Sequence, residues 1–183
     1  MHGRSFVDTS NESILSSDWT DAPKEEGDAI ICSDKSAFAA IRTADCAPVL
    51  IACPVTGQVA AVHAGWKGLS KSVIKNTVRE LEKRGASSMK LLAAIGPCIC
   101  EKCYEVGEDV AKRFPESCEP VKGSPGKFMM ELALAAEASL IIAGLTSSNI
   151  DRLDICTSCG DRNQFSYRAS NGDCGRQLSF IGF

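Results

Sequence analysis

The sequence predicts an α+β fold, with mixed α/β as the alternative, rather than a doubly wound parallel sheet. Segments typical of strands and of helices follow one another without the strict alternation that a doubly wound sheet requires. A β-hairpin centred near Thr56 dominates the first half of the chain. At 183 residues with 44% hydrophobic residues, the chain is long enough for a buried core. It shows no repeat or internal boundary, so we predict one domain over residues 1–183.

The first half of the chain predicts a loop followed by four strands. Residues 8–28 are polar and acidic, which is typical of a loop. Two short apolar runs at 29–32 and 38–41 predict strands. Residues 49–52 and 59–62 are aliphatic and rich in β-branched side chains, and the Pro-Val-Thr-Gly sequence between them has the composition of a turn. These two runs therefore predict the hairpin.

The end of this hairpin is the strongest site candidate that the residues themselves provide. With a turn centred near Thr56, His63 falls roughly opposite Val49 and about three residues from Cys46. At about 3.3 Å per strand residue, Cys46 and His63 lie at the same hairpin end, roughly 10 Å apart or closer. A thiolate and an imidazole placed this way can bind a metal or form a Cys–His nucleophile pair. A buried cysteine beside an unrelated surface histidine is the alternative without function.

The second half of the chain predicts a helix, a buried strand and a mixture of shorter elements. Residues 69–84 place apolar side chains on one helical face, and Gly85 follows as a helix stop. The other predicted segments are a strand at 91–95, a short helix at 108–114, a loop at 115–126, a helix at 129–143 and strands at 153–156, 164–168 and 177–183.

Charge, hydropathy and composition narrow the classes of partner. The net charge of −3 argues against a protein that binds nucleic acid by neutralising phosphates. No apolar run is long enough for a membrane span, and no signal-peptide core is present, so we expect a cytoplasmic protein without a membrane partner. The chain has ten cysteines and only two histidines. Without an export signal, reduced thiols and metal ligation are favoured over a disulfide framework.

Two groups of residues are candidates for binding an anion. Gly65, Lys67 and Gly68 form a glycine-rich turn between a strand and a helix, where backbone N–H groups can face phosphate. The same turn is also common without a ligand. Arg168 and Arg176 add two guanidinium groups near the C-terminus, suited to phosphate or carboxylate, although a solvated strand face is the simpler explanation from charge alone.

Two cysteine-rich turns leave further alternatives open. Cys98, Cys100 and Cys103 follow a predicted strand, and Cys156 and Cys159 form a second C-x-x-C pair far along the chain. Their separation is much larger than in a compact zinc ribbon, although the two turns could still meet in space. They are candidates for a second metal site, for a redox pair, or for buried structural thiols.

Taken together, several uncommon motifs in order resemble the YfiH-like, or laccase-domain, family. Members of this family carry the labels polyphenol oxidase, purine nucleoside phosphorylase and peptidoglycan editing factor. The motifs, which span nearly the whole chain, are His2-Gly3, Thr43-Ala-Asp-Cys-Ala-Pro-Val-Leu, Val62-His-Ala-Gly-Trp-Lys-Gly, Gly96-Pro-Cys-Ile, Tyr104-Glu-Val-Gly, Cys156-Thr, Phe165-Ser-Tyr-Arg and Gly175-Arg.

The resemblance implies a mixed β-sandwich flanked by helices and a zinc site. The implied ligands are His2, Cys46 and His63, which leave a fourth coordination position open, as a catalytic zinc requires. The implied activities are phosphorolysis of purine nucleosides and of methylthioadenosine, and deamination of adenosine. The chain departs from the family in two places. Family members carry a substantial segment before the His-Gly motif, so we expect an N-terminally short domain, and Ala169 stands where the family usually has a second arginine.

We therefore predict a zinc-dependent purine nucleoside phosphorylase acting on adenosine, inosine and methylthioadenosine, with adenosine deaminase activity. Its partners would be the nucleoside and phosphate, and it would be a monomer or a homodimer. Asp45 is the candidate proton acceptor, and Lys67 with Arg168 or Arg176 would hold phosphate. The alternatives are a polyphenol oxidase with copper as a substitute metal, a Cys–His hydrolase acting on a peptidoglycan precursor, and an inactive truncated member.

Overall fold

The computed structural model describes residues 6–8, 27–160 and 163–183, and it confirms the predicted α+β class. The strands are β1 (Phe6–Asp8), β2 (Ala29–Cys32), β3 (Phe38–Thr43), β4 (Ala47–Cys53), β5 (Gln58–Ala64), β6 (Leu92–Ile95), β7 (Glu105–Gly107), β8 (Cys118–Pro120), β9 (Lys127–Met130), β10 (Ile150–Arg152) and β11 (Gln177–Gly182). The α-helices are α1 (Trp66–Ser70), α2 (Val73–Lys83), α3 (Glu108–Ala111) and α4 (Leu132–Ile142).

The main sheet has six strands in the order β1-β2-β5-β4-β6-β10, with the predicted hairpin at its centre. The outer pairs β1–β2 and β6–β10 are parallel, and the inner pairs are antiparallel. The antiparallel pair β3–β11 is a second sheet, and β7, β9 and β8 form a third. The main sheet is therefore mixed. This agrees with the mixed β-sandwich that the resemblance implies.

Alternation along the central strands divides the core into two layers. Val59 and Ala61 of β5 point toward the β3–β11 pair, where Ala39 and Ile41 cover them. The intervening residues of β5, including Val62, point toward the opposite face, which α2 and α4 cover. Both faces of the main sheet are thus buried, which explains why β4 and β5 are almost continuously apolar.

The helix predicted at 69–84 is divided into α1 and α2. The N–H groups of Lys71 and Ser72 bond back to Gly68 and Leu69 and so close α1, and Ser72 adopts a left-handed conformation with φ of 62°. The carbonyl of Ser72 then accepts the N–H of Asn76 and begins α2. The predicted apolar face is buried as expected. The helix stop at Gly85 is also confirmed, because its φ of 91° lies in the region that glycine favours.

Several predicted boundaries were wrong. Residues 129–130 end β9 rather than begin α4, because a short apolar run fits either period. The loop at 115–126 contains β8, and the strand expected at 153–156 lies earlier, as β10. Residues 164–168 form turns rather than a strand. In the hairpin, His63 pairs with Pro48 rather than Val49, because the turn is centred half a residue before Thr56.

Within the part of the chain that the structure describes, no helix combines the length and the apolar character needed to cross a bilayer.

Candidate active site

A cavity of about 540 Å³ opens where β4 begins and β5 ends. Every predicted site residue within the described part of the chain lines this cavity. These residues are Asp45, Cys46, His63, Gly65, Lys67, Gly68, Arg168 and Arg176. His2, the third zinc ligand that the resemblance implies, lies outside the described residues. The hairpin end is therefore the place where the predicted residues converge.

Cys46 and His63 lie diagonally across the end of the hairpin. Ala47 pairs with Ala64 and Pro48 with His63, so Cys46 immediately precedes the paired segment. Alternation along the strands puts the Cys46 and His63 side chains on the same face. Diagonal positions on antiparallel strands are about 7–8 Å apart, within the reach of two side chains that bind one ion. The prediction that both occupy one hairpin end is confirmed.

Gly65 leaves room for the Cys46 sulfur at the end of the hairpin. A Cβ atom at Gly65 would lie only 2.8 Å from Cys46 Sγ. Gly65 also begins α1, and its carbonyl accepts the N–H of Leu69 at 2.9 Å. Since α1 has only five residues, its dipole adds little to anion binding. Phosphate binding by the Gly65–Gly68 turn therefore stays a prediction.

The imidazole of His63 faces a carboxylate. His63 Nδ1 lies 3.9 Å from Asp28 Oδ1, and the exposed fractions of the two side chains are 26% and 11%. Their backbones also meet, because the N–H of His63 donates to the carbonyl of Asp28 at 2.8 Å. Carboxylates placed behind a histidine commonly orient the ring of a metal ligand and raise its basicity. Asp28 therefore suits the role of orienting His63.

The surroundings of Cys46 disfavour a free thiolate. Burial is the main cause that raises the pKa of Cys46 to about 11, and the carboxylates of Asp45 and Asp28 add to it. The guanidinium of Arg176 acts in the opposite direction. A nucleophilic cysteine of a Cys–His pair normally has a lowered pKa. The environment of Cys46 therefore differs from that of an activated nucleophile, whereas a bound metal ion would favour the thiolate.

Asp45 connects three segments around the cavity. It is buried, and its φ of 79° is left-handed. Oδ1 accepts a hydrogen bond from Thr157 Oγ1 at 2.7 Å, and Oδ2 accepts the backbone N–H of Arg168 at 2.6 Å. The backbone carbonyl accepts the N–H of Ile99 at 3.0 Å. Both carboxylate oxygens are thus engaged in holding loops together, and proton acceptance by Asp45 stays a prediction.

The two arginines are held against aromatic rings. The Arg168 guanidinium lies 5.3 Å from the ring centroid of Tyr104, and its Nη2 donates to the carbonyl of Glu105 at 3.1 Å. Arg176 lies 5.9 Å from the ring centroid of Tyr167. Burial, followed by the nearby charges of Cys46 and Asp45, raises the pKa of Tyr104 well above its usual value. Tyr104 therefore remains a neutral hydroxyl that can donate a hydrogen bond.

The cavity carries more basic than acidic side chains. The basic ones are Arg42, Lys67, Arg168 and Arg176, and the acidic ones are Asp28 and Asp45. Lys67 is exposed, with Nζ 5.6 Å from the centroid of the Trp66 ring. A concave surface with an excess of positive charge favours an anionic ligand such as phosphate.

Several lining residues, among them Asp28, Tyr104 and Tyr167, were not assigned to the site from the sequence. Asp28 immediately precedes β2, and the pairing of Ala29 with Val62 places it opposite His63. Tyr104 and Tyr167 stand in the sequence only as members of motifs that carry the resemblance, and the motifs alone assign them no role. Asp28 reaches the cavity through the pairing of β2 with β5, so a correct assignment of strand order is the signal that would have found it.

The two cysteine-rich turns meet outside this cavity. Cys100, Cys103, Cys156 and Cys159 form one cluster, whereas Cys98 is buried nearby. Thr157 of the second turn contacts Asp45, so the cluster and the cavity share a wall.

The chain is similar to proteins with names that describe nucleoside chemistry. A purine nucleoside phosphorylase of Deinococcus radiodurans is 39% identical over 160 residues, which cover 86% of this chain and 61% of the relative. Adenosine deaminase RL5, from an unknown prokaryotic organism, is 32% identical over 173 residues, which cover 91% of this chain and 66% of the relative. The chain thus spans less than two thirds of the length of these relatives.

Solved structures give the same picture of the fold. YlmD from Geobacillus stearothermophilus superimposes with a TM-score of 0.86 at 28% identity, covering 99% of this chain and 70% of the other. The hypothetical protein YfiH from Bacillus licheniformis has a TM-score of 0.81 at 30% identity, covering 86% of this chain and 61% of the other.

The whole chain matches one family. Residues 1–183 match the family described as multi-copper polyphenol oxidoreductase laccase. The sequence identity, the superimposed structures and the motifs around the cavity agree with this match. The chain therefore belongs to the YfiH-like, or laccase-domain, family.

Proposed function

We propose that this protein is a zinc-dependent purine nucleoside phosphorylase that acts on adenosine, inosine and methylthioadenosine and also deaminates adenosine. The observation that carries the proposal is a single cavity that combines Cys46 and His63 with the basic side chains of Lys67, Arg168 and Arg176. The names of the relatives support the class of reaction. Because the chain spans only part of the length of those relatives, the activity in their names is proposed for this chain and not transferred to it.

The donor set in the cavity suits zinc. Cys46 offers sulfur and His63 offers an imidazole, and these are the ligand types that zinc prefers. Asp28 stands behind His63 at 3.9 Å as the orienting carboxylate. His2 is the proposed third ligand. When bound, zinc would supply Lewis acidity to polarise an oxygen atom of the substrate or of water.

Phosphate would be held by the basic side of the cavity. A guanidinium has five N–H donors in a fork. Arg168 uses Nη2 to bind the carbonyl of Glu105, which fixes the fork while leaving it able to pair with phosphate oxygens. Lys67 adds a charge on the exposed side of the cavity. Phosphate placed beside the ribose would be positioned for attack on C1′, with release of the base.

The aromatic side chains would hold the base. Tyr104, Tyr167 and Trp66 line the cavity, and a purine can stack on such rings for about 1–3 kcal/mol per base. The neutral hydroxyl of Tyr104 can donate a hydrogen bond to a ring nitrogen. Asp45, already bonded to Thr157 and Arg168, would position this wall of the cavity, and proton acceptance remains its second proposed role.

Copper-dependent phenol oxidation is the rival that the family description names. A multicopper centre needs many imidazoles, and the chain has only two histidines, so copper would act at most as a substitute in the zinc site. A Cys–His hydrolase needs a free thiolate at Cys46, which the surroundings disfavour.

The proposal is tested by removing and restoring the metal. We expect chelator-treated protein to lose phosphate-dependent release of hypoxanthine from inosine and to regain it with zinc. His63→Ala and Cys46→Ser should each lower bound zinc and activity together, because each removes a ligand. Cys118→Ser is the matched control, since Cys118 is half-buried in β8 and does not line the cavity.

Two results would contradict the zinc assignment. One is full zinc content and activity in both ligand variants. The other is activity restored by copper with consumption of oxygen, which would favour the oxidase rival.

A further inference from the structure

Four cysteines from two distant parts of the chain come together outside the active-site cavity. The sulfur atoms of Cys100, Cys103, Cys156 and Cys159 all lie within 4.8 Å of one another. The sulfurs of Cys100 and Cys159 are 3.7 Å apart. A tetrahedral zinc ion with Zn–S bonds of about 2.3 Å holds its sulfurs about 3.8 Å apart. The cluster therefore already has close to the spacing of a site for one ion.

Strand pairing explains how cysteines so far apart in sequence meet. β6 and β10 are parallel neighbours, so the segments that follow them leave the same edge of the main sheet. The pairing continues beyond the strands, because Cys98 and Cys156 form a parallel bridge. The N–H of Cys98 donates to Ile155, and the N–H of Thr157 donates to Cys98. The backbone thus places the two cysteine turns side by side.

Each C-x-x-C pair closes a tight turn that directs its two sulfurs to the same side. The N–H of Cys103 donates to the carbonyl of Cys100, and the N–H of Gly160 donates to the carbonyl of Cys156, both at 3.0 Å. A Cβ atom at Gly160 would collide with that second carbonyl oxygen. Glycine is therefore necessary directly after the second pair.

The sulfur of Cys156 is surrounded by backbone donors. The N–H groups of Cys100 and Ser158 lie 3.3 Å from it, and the N–H of Cys159 lies 3.4 Å from it. Three donors aimed at one sulfur offset negative charge there, which is the requirement of a metal-bound thiolate. A cysteine that only filled space in the core would not need them.

We propose that Cys100, Cys103, Cys156 and Cys159 bind one zinc ion as a structural tetrathiolate site. Four protein ligands fill a tetrahedral ion and leave no open position for substrate, which distinguishes this site from the one at Cys46 and His63. Each thiol releases its proton to solvent as its Zn–S bond forms. A four-iron cluster would hold its cysteine sulfurs apart by the width of the cluster. The short distances between the four sulfurs therefore favour a single ion.

The structural zinc would hold one wall of the active-site cavity. Ile99, beside the first cysteine turn, donates its N–H to the carbonyl of Asp45 at 3.0 Å. Thr157, inside the second turn, donates to the carboxylate of Asp45 at 2.7 Å. Tyr104 directly follows Cys103 and lines the cavity. An ion bound to both turns would therefore hold Asp45 and Tyr104 in position, although the ion itself lies outside the cavity.

Zinc content of the purified chain tests this site separately from the active site. We expect Cys100→Ser and Cys159→Ser each to lose about one zinc per chain relative to the parent, while Cys118→Ser loses none. His63→Ala should retain the zinc of the cysteine cluster. Unchanged zinc in both cluster variants would overturn the proposal, whatever happens to the metal at Cys46.

A measurement on the unaltered chain covers the case in which the variants fail to fold. Stepwise titration of thiols with a mercurial should release one zinc as four thiols react, and Co²⁺ exchanged into that site should show the intense visible absorption of a tetrahedral tetrathiolate. Thiol counts that rise only after a reductant is added would instead show that the cysteines form disulfides, and would overturn the proposal.

Discussion

The hydrogen bonds of Asp45 make a sharp prediction about stability. Asp45→Ala removes both carboxylate bonds and leaves the N–H of Arg168 and the hydroxyl of Thr157 without this partner. Hydrogen bonds to charged groups contribute about 1.5–3 kcal/mol each. Alanine at a φ of 79° adds strain, which costs about 1–2 kcal/mol. Because such effects are not fully additive, we expect Asp45→Ala to lower the free energy of unfolding by about 4 kcal/mol.

Asp45→Asn is the matched variant. Asparagine tolerates the left-handed conformation, its carbonyl can accept the N–H of Arg168, and its amide can donate to the Thr157 oxygen after the hydroxyl rotates. Only the charge is lost, so we expect the free energy of unfolding to decrease by about 1 kcal/mol.

Urea denaturation at a fixed zinc concentration measures the difference. With an m-value of about 2 kcal/mol/M, the two variants should differ in midpoint by about 1.5 M. Equal midpoints for the alanine and asparagine variants would refute the reasoning that these two bonds hold the loops. Since asparagine cannot accept a proton, the turnover of Asp45→Asn separately tests the catalytic role.

Three further predictions concern the cavity. Gly65→Ala places a Cβ 2.8 Å from Cys46 Sγ. Zinc affinity, measured by competition with a chelator, should therefore fall about 10–100-fold. Unchanged affinity would show that the sulfur can move aside. Arg168→Lys keeps the backbone bond to Asp45 but loses the guanidinium fork on Tyr104, so KM for phosphate should rise at least about tenfold with little change in stability. Mass spectrometry during turnover should find no covalent adduct on Cys46, whereas a trapped adduct would support the hydrolase rival.

The hairpin and its site could be predicted because they depend on local pattern. Cys46 and His63 are related by one turn, so aliphatic runs and turn composition suffice to place them at one end. The register was wrong by one residue, because composition does not fix where a turn is centred. The contact between Asp28 and His63 depends on which strand lies beside β5, and no local pattern reports that.

The cysteine cluster and the turns at residues 164–168 could not be predicted without long-range information. Cys103 and Cys156 meet only because β6 and β10 are parallel neighbours, and parallel order depends on the whole topology. Residues 164–168 have the composition of a strand, but they form turns because Asp45 captures the N–H of Arg168 and Ser166 captures the N–H of Ala169. Tertiary hydrogen bonds thus prevailed over local propensity.

The measurement that tests the central claim most directly is the identity of the sugar product. With zinc-loaded protein, inosine and inorganic phosphate, the proposed function predicts ribose 1-phosphate in equal amount to hypoxanthine, none without phosphate, and none with His63→Ala. Free ribose formed at the same rate with and without phosphate would contradict phosphorolysis and show that water, not phosphate, attacks the nucleoside.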